Sequence, residues 1–193
     1  MRKQLRIQLY PTLIYDVECS ELIDEVVDEF NKCKWKNDWT NINDTIFTLD
    51  NNKTLVKKIE NVVNETLSEI EYTIPLKMST SWFTRIPPNA IGRDHYHKNS
   101  FYSGIFYFQD YNSNLVVSKQ DPQIQVPFKT KNLGLVSSGE VALKADKGHM
   151  ILIPSYIRHH IEKNFKGENR NSLAMNFMPI GLCYSDDSSY NYK

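Results

Sequence analysis

The sequence predicts an all-β core, a sandwich or barrel, with helices covering one outer face. Three observations carry this expectation. The chain changes character near residue 75: apolar residues recur with helical period before it and fall into short, turn-bounded runs after it. Hydrophobic residues are 40% of the 193 and aromatics 12%, enough for a real core and too many for a disordered chain. No stretch reaches the roughly 18 consecutive apolar residues of a membrane span, so every apolar run belongs inside a globular unit.

Taken in order, Ser20 is placed to cap a helix running to about Cys33, with Leu22, Ile23, Val26, Val27 and Phe30 on one side. Leu55, Val56, Ile59, Val62, Val63, Leu67 and Ile70 form a second, longer stripe at i, i+3, i+4 spacing, of the kind that packs on a sheet. The strand candidates are then Met78 to Arg85, His95 to Phe108, Leu115 to Lys119, Ile124 to Phe128, Val141 to Lys144, Met150 to Pro154, His159 to Glu162 and Ser172 to Met178. Turn signals separate them, among them Pro87-Pro88-Asn89, Asp146-Lys147-Gly148 and Lys166-Gly167-Glu168-Asn169. Residues 1–193 read as a single domain: 1–75 a mostly helical cover, 76–180 the β core, and 181–193 a polar tail expected to fray.

Lys plus Arg and Asp plus Glu are 23 each, so the net charge is zero, which argues against a sequence-independent nucleic-acid binder. The first residues are basic but lack an uninterrupted apolar segment, so no signal peptide is expected and the sequons at Asn43, Asn52 and Asn64 should go unmodified. Cys19, Cys33 and Cys183 have no C-x-x-C spacing and suit a reducing, cytoplasmic compartment.

The histidines carry most of the chemical information. There are 5, and four of them form two tight clusters, His95/His97 and His159/His160. On a strand, His95 and His97 would face the same way about 6.5 Å apart, close enough to converge on one metal. The other cluster supplies a third imidazole, His159. His160 should face the opposite way and His149 reads as structural. Downstream comes Arg170, in R-x-S with Ser172; a planar guanidinium near a metal site suits bidentate capture of a carboxylate. Tyr107 shares strand parity with His95 and His97 and could donate a hydrogen bond inward.

These residues resemble a known family. Leu9-Tyr10-Pro11-Thr12, Ser81-Trp82, His95-Tyr96-His97-Lys98-Asn99-Ser100, Ser103-Gly104-Ile105-Phe106-Tyr107, Asp121-Pro122, Gly148 through Pro154 to His159, and Arg170-Asn171-Ser172-Leu173-Ala174-Met175-Asn176-Phe177 are together similar to the iron(II)- and 2-oxoglutarate-dependent oxygenases, and within them to a group found in bacteria and phage genomes. The resemblance implies a double-stranded β-helix, the jelly-roll or cupin-like barrel. It implies that His95, His97 and His159 surround iron(II), and that Arg170, with Ser172 and Tyr107 nearby, binds the cosubstrate 2-oxoglutarate. The implied activity is a dioxygenase that uses O₂, converts 2-oxoglutarate to succinate and hydroxylates a C–H bond of a protein side chain or a small molecule.

The chain departs from the usual H-x-D or H-x-E of a two-histidine, one-carboxylate triad. Either the site has three histidines, or His97 stands behind another ligand. Two further readings stay open: a cupin-type metal protein that uses no 2-oxoglutarate, and a non-catalytic relative with a binding or structural role. Against the cupin, residues 98–108 lack the glutamate its first motif requires, and Arg170 would have no task. Expected partners are the small-molecule cosubstrate and an unidentified protein or metabolite, with no membrane and no nucleic acid. A homodimer is left open, as is the cytoplasm of a phage-infected host as the location.

Overall fold

The computed structural model describes residues 12–35, 48–70, 74–110, 113–118, 139–185 and 187–193. The expected strand at Ile124 to Phe128, and the Leu9-Tyr10-Pro11 and Asp121-Pro122 parts of the resemblance, lie outside them.

Two helices come early. After a 3₁₀ turn at Ser20–Leu22, α1 runs Ile23–Lys32; α2 runs Lys53–Leu67 and closes in another 3₁₀ turn, Ser68–Ile70. Ser20 does not cap α1, whose N-terminus has no side-chain cap. Its hydroxyl instead lies against Gly148, which has φ +82° and no room for a Cβ. The cap that does form is Asn52, whose side chain accepts from the Leu55 amide at 3.0 Å and opens α2. Asn64 ties α2 to the sheet: its Oδ1 accepts from Leu76 N at 2.8 Å and its Nδ2 donates to Leu76 O at 2.9 Å.

The strands form two antiparallel sheets and a hairpin. The strands are β1 Tyr15–Glu18, β2 Leu76–Ile86, β3 Tyr102–Tyr107, β4 Leu115–Ser118, β5 Glu140–Leu143, β6 His149–Pro154, β7 Arg158–Ile161, β8 Arg170–Pro179, β9 Gly181–Ser185 and β10 Ser188–Tyr192. The major sheet has the order β1-β6-β3-β8-β2 and the minor sheet β5-β4-β7. β1, inside the stretch read as helical cover, is an edge strand of the major sheet, paired with β6 from Tyr15↔Leu152 to Glu18↔His149. The polar tail is not frayed: β9 and β10 pair from Ser185↔Ser188 to Gly181↔Tyr192. Its composition hid the strands, because a two-stranded hairpin exposed on both faces needs no apolar alternation.

The alternation of side chains along each strand builds two cores on opposite faces of the major sheet. Toward the helices, Phe83, Phe106, Met150, Leu152, Leu173, Met175 and Phe177 pack with Leu22, Val26, Leu55, Ile59, Val63 and Leu67. Facing the minor sheet, Ile105, Tyr107, Ile151 and Ile153 pack with Leu115 and Val117. Fully burying a side chain of this size contributes about 1.5–3 kcal/mol. The helical stripes read from the sequence are thus the lining of the first core. Among the described residues no helix is long and apolar enough to cross a membrane.

Candidate metal and cosubstrate site

The chain crosses from one sheet to the other at Ser155-Tyr156-Ile157, between the end of β6 and the start of β7. That corner organises the site. His159 on β7 exchanges two backbone hydrogen bonds with His95, N to O at 3.0 and 2.8 Å. The amide of His97 donates to Ser155 O at 2.9 Å. His95 is therefore fastened to the minor sheet and His97 to the corner. The expected continuous strand from His95 to Phe108 does not form: β3 starts only at Tyr102, and Asn99, with φ 55°, turns the chain between them. The two imidazoles share a direction because they bridge the gap between sheets, and strand parity has no part in it.

The three imidazoles converge. Ring centroids lie 4.5 Å apart for His95–His159 and 5.1 Å for both His95–His97 and His97–His159. One ring nitrogen from each falls within 4.8 Å of the others, and among the described residues no carboxylate joins the group. The other nitrogen of each ring is engaged with an oxygen. Nδ1 of His95 is 2.7 Å from Arg93 O, Nδ1 of His159 is 2.9 Å from Ile157 O, and Nδ1 of His97 is 2.6 Å from Asn176 Oδ1. Carbonyl oxygens only accept, so each Nδ1 carries its proton and each Nε2 presents a lone pair. The Nε2 atoms of His95 and His97 stand 3.1 Å apart. This donor set fits a divalent transition metal, which takes neutral imidazole nitrogen.

Burial disfavours the charged form of two of the rings. Burial holds the His159 imidazole down to about 4, with smaller downward pushes from His95 and His97. Burial likewise lowers His97, partly offset by its bond to Asn176. Asp94, next to His95 in the chain, points elsewhere and binds Arg158, with Nε to Oδ2 at 3.0 Å.

A cavity opens beside the imidazoles, walled by Trp82, Thr84 and Ile86 of β2, Ile105 of β3, Leu115 of β4, and Ser172 and Ala174 of β8. Ser172 Oγ is 2.7 Å from Thr84 Oγ1. Arg170, one step along the same face of β8, is wholly buried, its guanidinium carbon 4.7 Å from the centroid of the Tyr107 ring. Burial raises the Tyr107 hydroxyl, with Arg170 pulling it the other way. The structure thus brings His95, His97 and His159 into one cluster, puts Ser172 in the cavity wall, and sets Arg170 and Tyr107 together deeper in the barrel. His149 binds Asp16 at 2.9 Å across β1 and β6, away from the cluster. The sequence reading gave no role to Asn176 and Ser103, the two side chains bonded to His97, whose imidazole also lies 5.4 Å from the Trp82 ring of the cavity wall. The signal for Asn176 was its parity with Arg170 and Ser172 on β8.

Solved structures share this architecture. The epimerase SnoN from nogalamycin biosynthesis, described as non-heme and α-ketoglutarate dependent, matches with TM-score 0.63 at 8% identity, over 92% of this chain and 83% of its own. HygX from Streptomyces hygroscopicus, solved with nickel and 2-oxoglutarate bound, matches with TM-score 0.59 at 11% identity, over 87% and 83%. A prolyl-4-hydroxylase from Pseudomonas putida matches with TM-score 0.51 at 13% identity, over 88% and 94%. At such identities the likeness establishes the fold, the double-stranded β-helix. No curated protein matches by sequence. The family model described as "Putative 2OG-Fe(II) oxygenase" matches residues 80–176, from β2 across both histidine clusters to the end of the inward-facing part of β8. The chain belongs to this family of iron(II)- and 2-oxoglutarate-dependent oxygenases.

Proposed function

We propose that residues 1–193 act as one dioxygenase domain in which His95, His97 and His159 hold a single iron(II) through Nε2, and Arg170 and Ser172 bind the distal carboxylate of 2-oxoglutarate beside Tyr107. The observation that carries the metal assignment is the commitment of all three Nδ1 atoms to oxygen acceptors, leaving three lone pairs on one point. Iron(II) bound there supplies the family's oxygen chemistry, in which 2-oxoglutarate becomes succinate and a substrate C–H bond is hydroxylated.

The chain's own residues do the rest. His159 stays neutral at working pH because burial disfavours its charged form, so protons do not compete for its lone pair. Arg170 offers a planar fork for two parallel hydrogen bonds to a carboxylate in a site of low dielectric. Ser172 adds a hydroxyl on the same face. Ile105, Leu115 and Ala174 form an apolar wall that keeps bulk water from the cosubstrate. The substrate is a protein side chain or a small metabolite. The free thiols of Cys19, Cys33 and Cys183 favour a reducing, cytoplasmic setting.

Succinate formation from 2-oxoglutarate in the absence of a primary substrate tests this without knowing the substrate. We expect slow succinate release that requires added iron(II) and O₂ and is lost in His159→Ala. A protein that binds metal but neither binds 2-oxoglutarate nor forms succinate belongs to the cupin-type reading instead.

A further inference from the structure

Around His97 lies a buried polar network that neither the metal nor the cosubstrate assignment uses. Asn176 Oδ1 lies 2.6 Å from Nδ1 of His97 and accepts from Ser103 Oγ at 2.8 Å. Asn176 Nδ2, the other end of the amide, donates to Thr80 Oγ1 at 2.9 Å. Ser103 Oγ is also 2.8 Å from Nδ1 of His97 and 2.8 Å from Ser155 Oγ. Ser155 Oγ donates to Ser100 Oγ at 2.8 Å, and Ser100 Oγ to Tyr102 O at 3.0 Å.

This network runs one way. Tyr102 O is a carbonyl and only accepts, so Ser100 donates to it and Ser155 donates to Ser100. Ser103 gives its one proton to Asn176 Oδ1 and has none for His97, and Asn176 Oδ1 has none at all. Both atoms near Nδ1 are acceptors, and the imidazole must donate. His95 and His159 achieve the same with backbone carbonyls two residues away, which no substitution can remove. His97 alone depends on side chains for its tautomer.

We propose that Asn176, supported by Ser103, is the positioning residue that makes His97 a metal ligand: it holds the proton on Nδ1, aims Nε2 at the other two imidazoles and raises the donor strength of the ring. This rests on the assignment of His97 as a ligand and identifies what that assignment needs from β8, where the chain carries an amide at the inward position two steps beyond Ala174.

The test uses the metal-free protein and cobalt(II) alone, read by its visible d–d absorption, with imidazole tautomers read by long-range ¹H–¹⁵N NMR. In wild type His97 should be the Nδ1–H tautomer. Asn176→Ala should weaken cobalt(II) binding on the order of 10–100-fold, the usual effect of removing a ligand's hydrogen-bond partner, and His97 should populate the Nε2–H form. Ser103→Ala should weaken it less. Asn176→Asp, nearly isosteric and a stronger acceptor, should restore or tighten binding and shift the d–d bands; this variant decides the matter if Asn176→Ala does not fold. The inference is overturned if wild-type His97 is the Nε2–H tautomer, or if both Asn176 variants bind cobalt(II) with wild-type affinity and spectrum while His97→Ala is weakened. If His97→Ala itself binds like wild type, the ligand assignment fails, and this inference with it.

Discussion

His95 and His159 exchange both of their backbone hydrogen bonds, so the chain holds two imidazoles in place through main-chain atoms before any metal arrives. This is the narrow hydrogen-bonded pair of an antiparallel ladder, formed by a single residue of a loop against β7. The approach is extended at Gly92, whose amide donates to Ile161 O at 3.0 Å.

Gly92 is where this approach is vulnerable. A Cβ there would lie 2.8 Å from Ile161 Cβ and 2.9 Å from Ile161 N. Gly92→Ala should push the loop off β7, costing about 1–3 kcal/mol of stability and weakening metal binding. Ile161→Ala should not rescue it, since the backbone nitrogen remains. Thermal unfolding and metal titration of the single and double variants check this; wild-type affinity in Gly92→Ala would show that the loop's close approach is not needed.

His97→Ala should lose metal affinity more than His97→Asp, because only aspartate keeps a donor at that vertex, and iron(II) accepts carboxylate as well as imidazole. Metal content of both variants, with folding checked by circular dichroism, decides it. Equal occupancy in His97→Ala and wild type would remove His97 from the metal.

Arg170→Ala should weaken 2-oxoglutarate binding by roughly 2–5 kcal/mol, the cost of removing a buried charge partner. Arg170→Lys should also bind poorly, because an ammonium lacks the planar fork. Calorimetric titration of 2-oxoglutarate into metal-loaded protein measures both, and unchanged affinity in a folded variant favours the cupin-type reading.

The metal-free protein should lose stability in mild acid. His159 titrates near 6.5 when unfolded and at about 4 when folded, so between those values the unfolded chain binds more protons. Stability from this group is present above about pH 6.5 and falls by about 3 kcal/mol as pH drops to about 4, with no further loss below. Urea denaturation across that range should show a shallower slope in His159→Gln. Parallel slopes would mean that another group governs the acid limb.

Much of the fold was legible because its cores are apolar and periodic. The stripe from Leu55 to Leu67 faces the sheet as its spacing demands, and the run Met150 to Pro154 is buried on both faces of a central strand. β1 was not legible: Tyr15-Asp16-Val17-Glu18 is a four-residue edge strand beside residues that read as helical. At the site, histidine clustering pointed to convergence, but the backbone route was misread. A loop pinned at His95 and Ser155 does what a strand was expected to do, and such pinning is a tertiary contact that local pattern does not encode. Asn176 was quoted in the motif yet given no role, because its parity with Arg170 and Ser172 gives its face of the strand and not the side chain it meets.

β8 divides its residues strictly between two tasks. Arg170, Ser172, Ala174 and Asn176 lie on one face, Arg170 over the Tyr107 ring, Ser172 and Ala174 in the cavity wall and Asn176 on His97, while Leu173, Met175 and Phe177 face the helices. Substitution can therefore tune either task without touching the other. Insertion or deletion cannot: one residue gained or lost within the strand would exchange the two sets, sending a guanidinium and an amide into the apolar layer and bulky hydrocarbon into the cavity. Within this strand a change of length is accommodated only at a bulge, such as the register shift that β2 makes against β8 between Met78 and Thr80, or in the loops on either side.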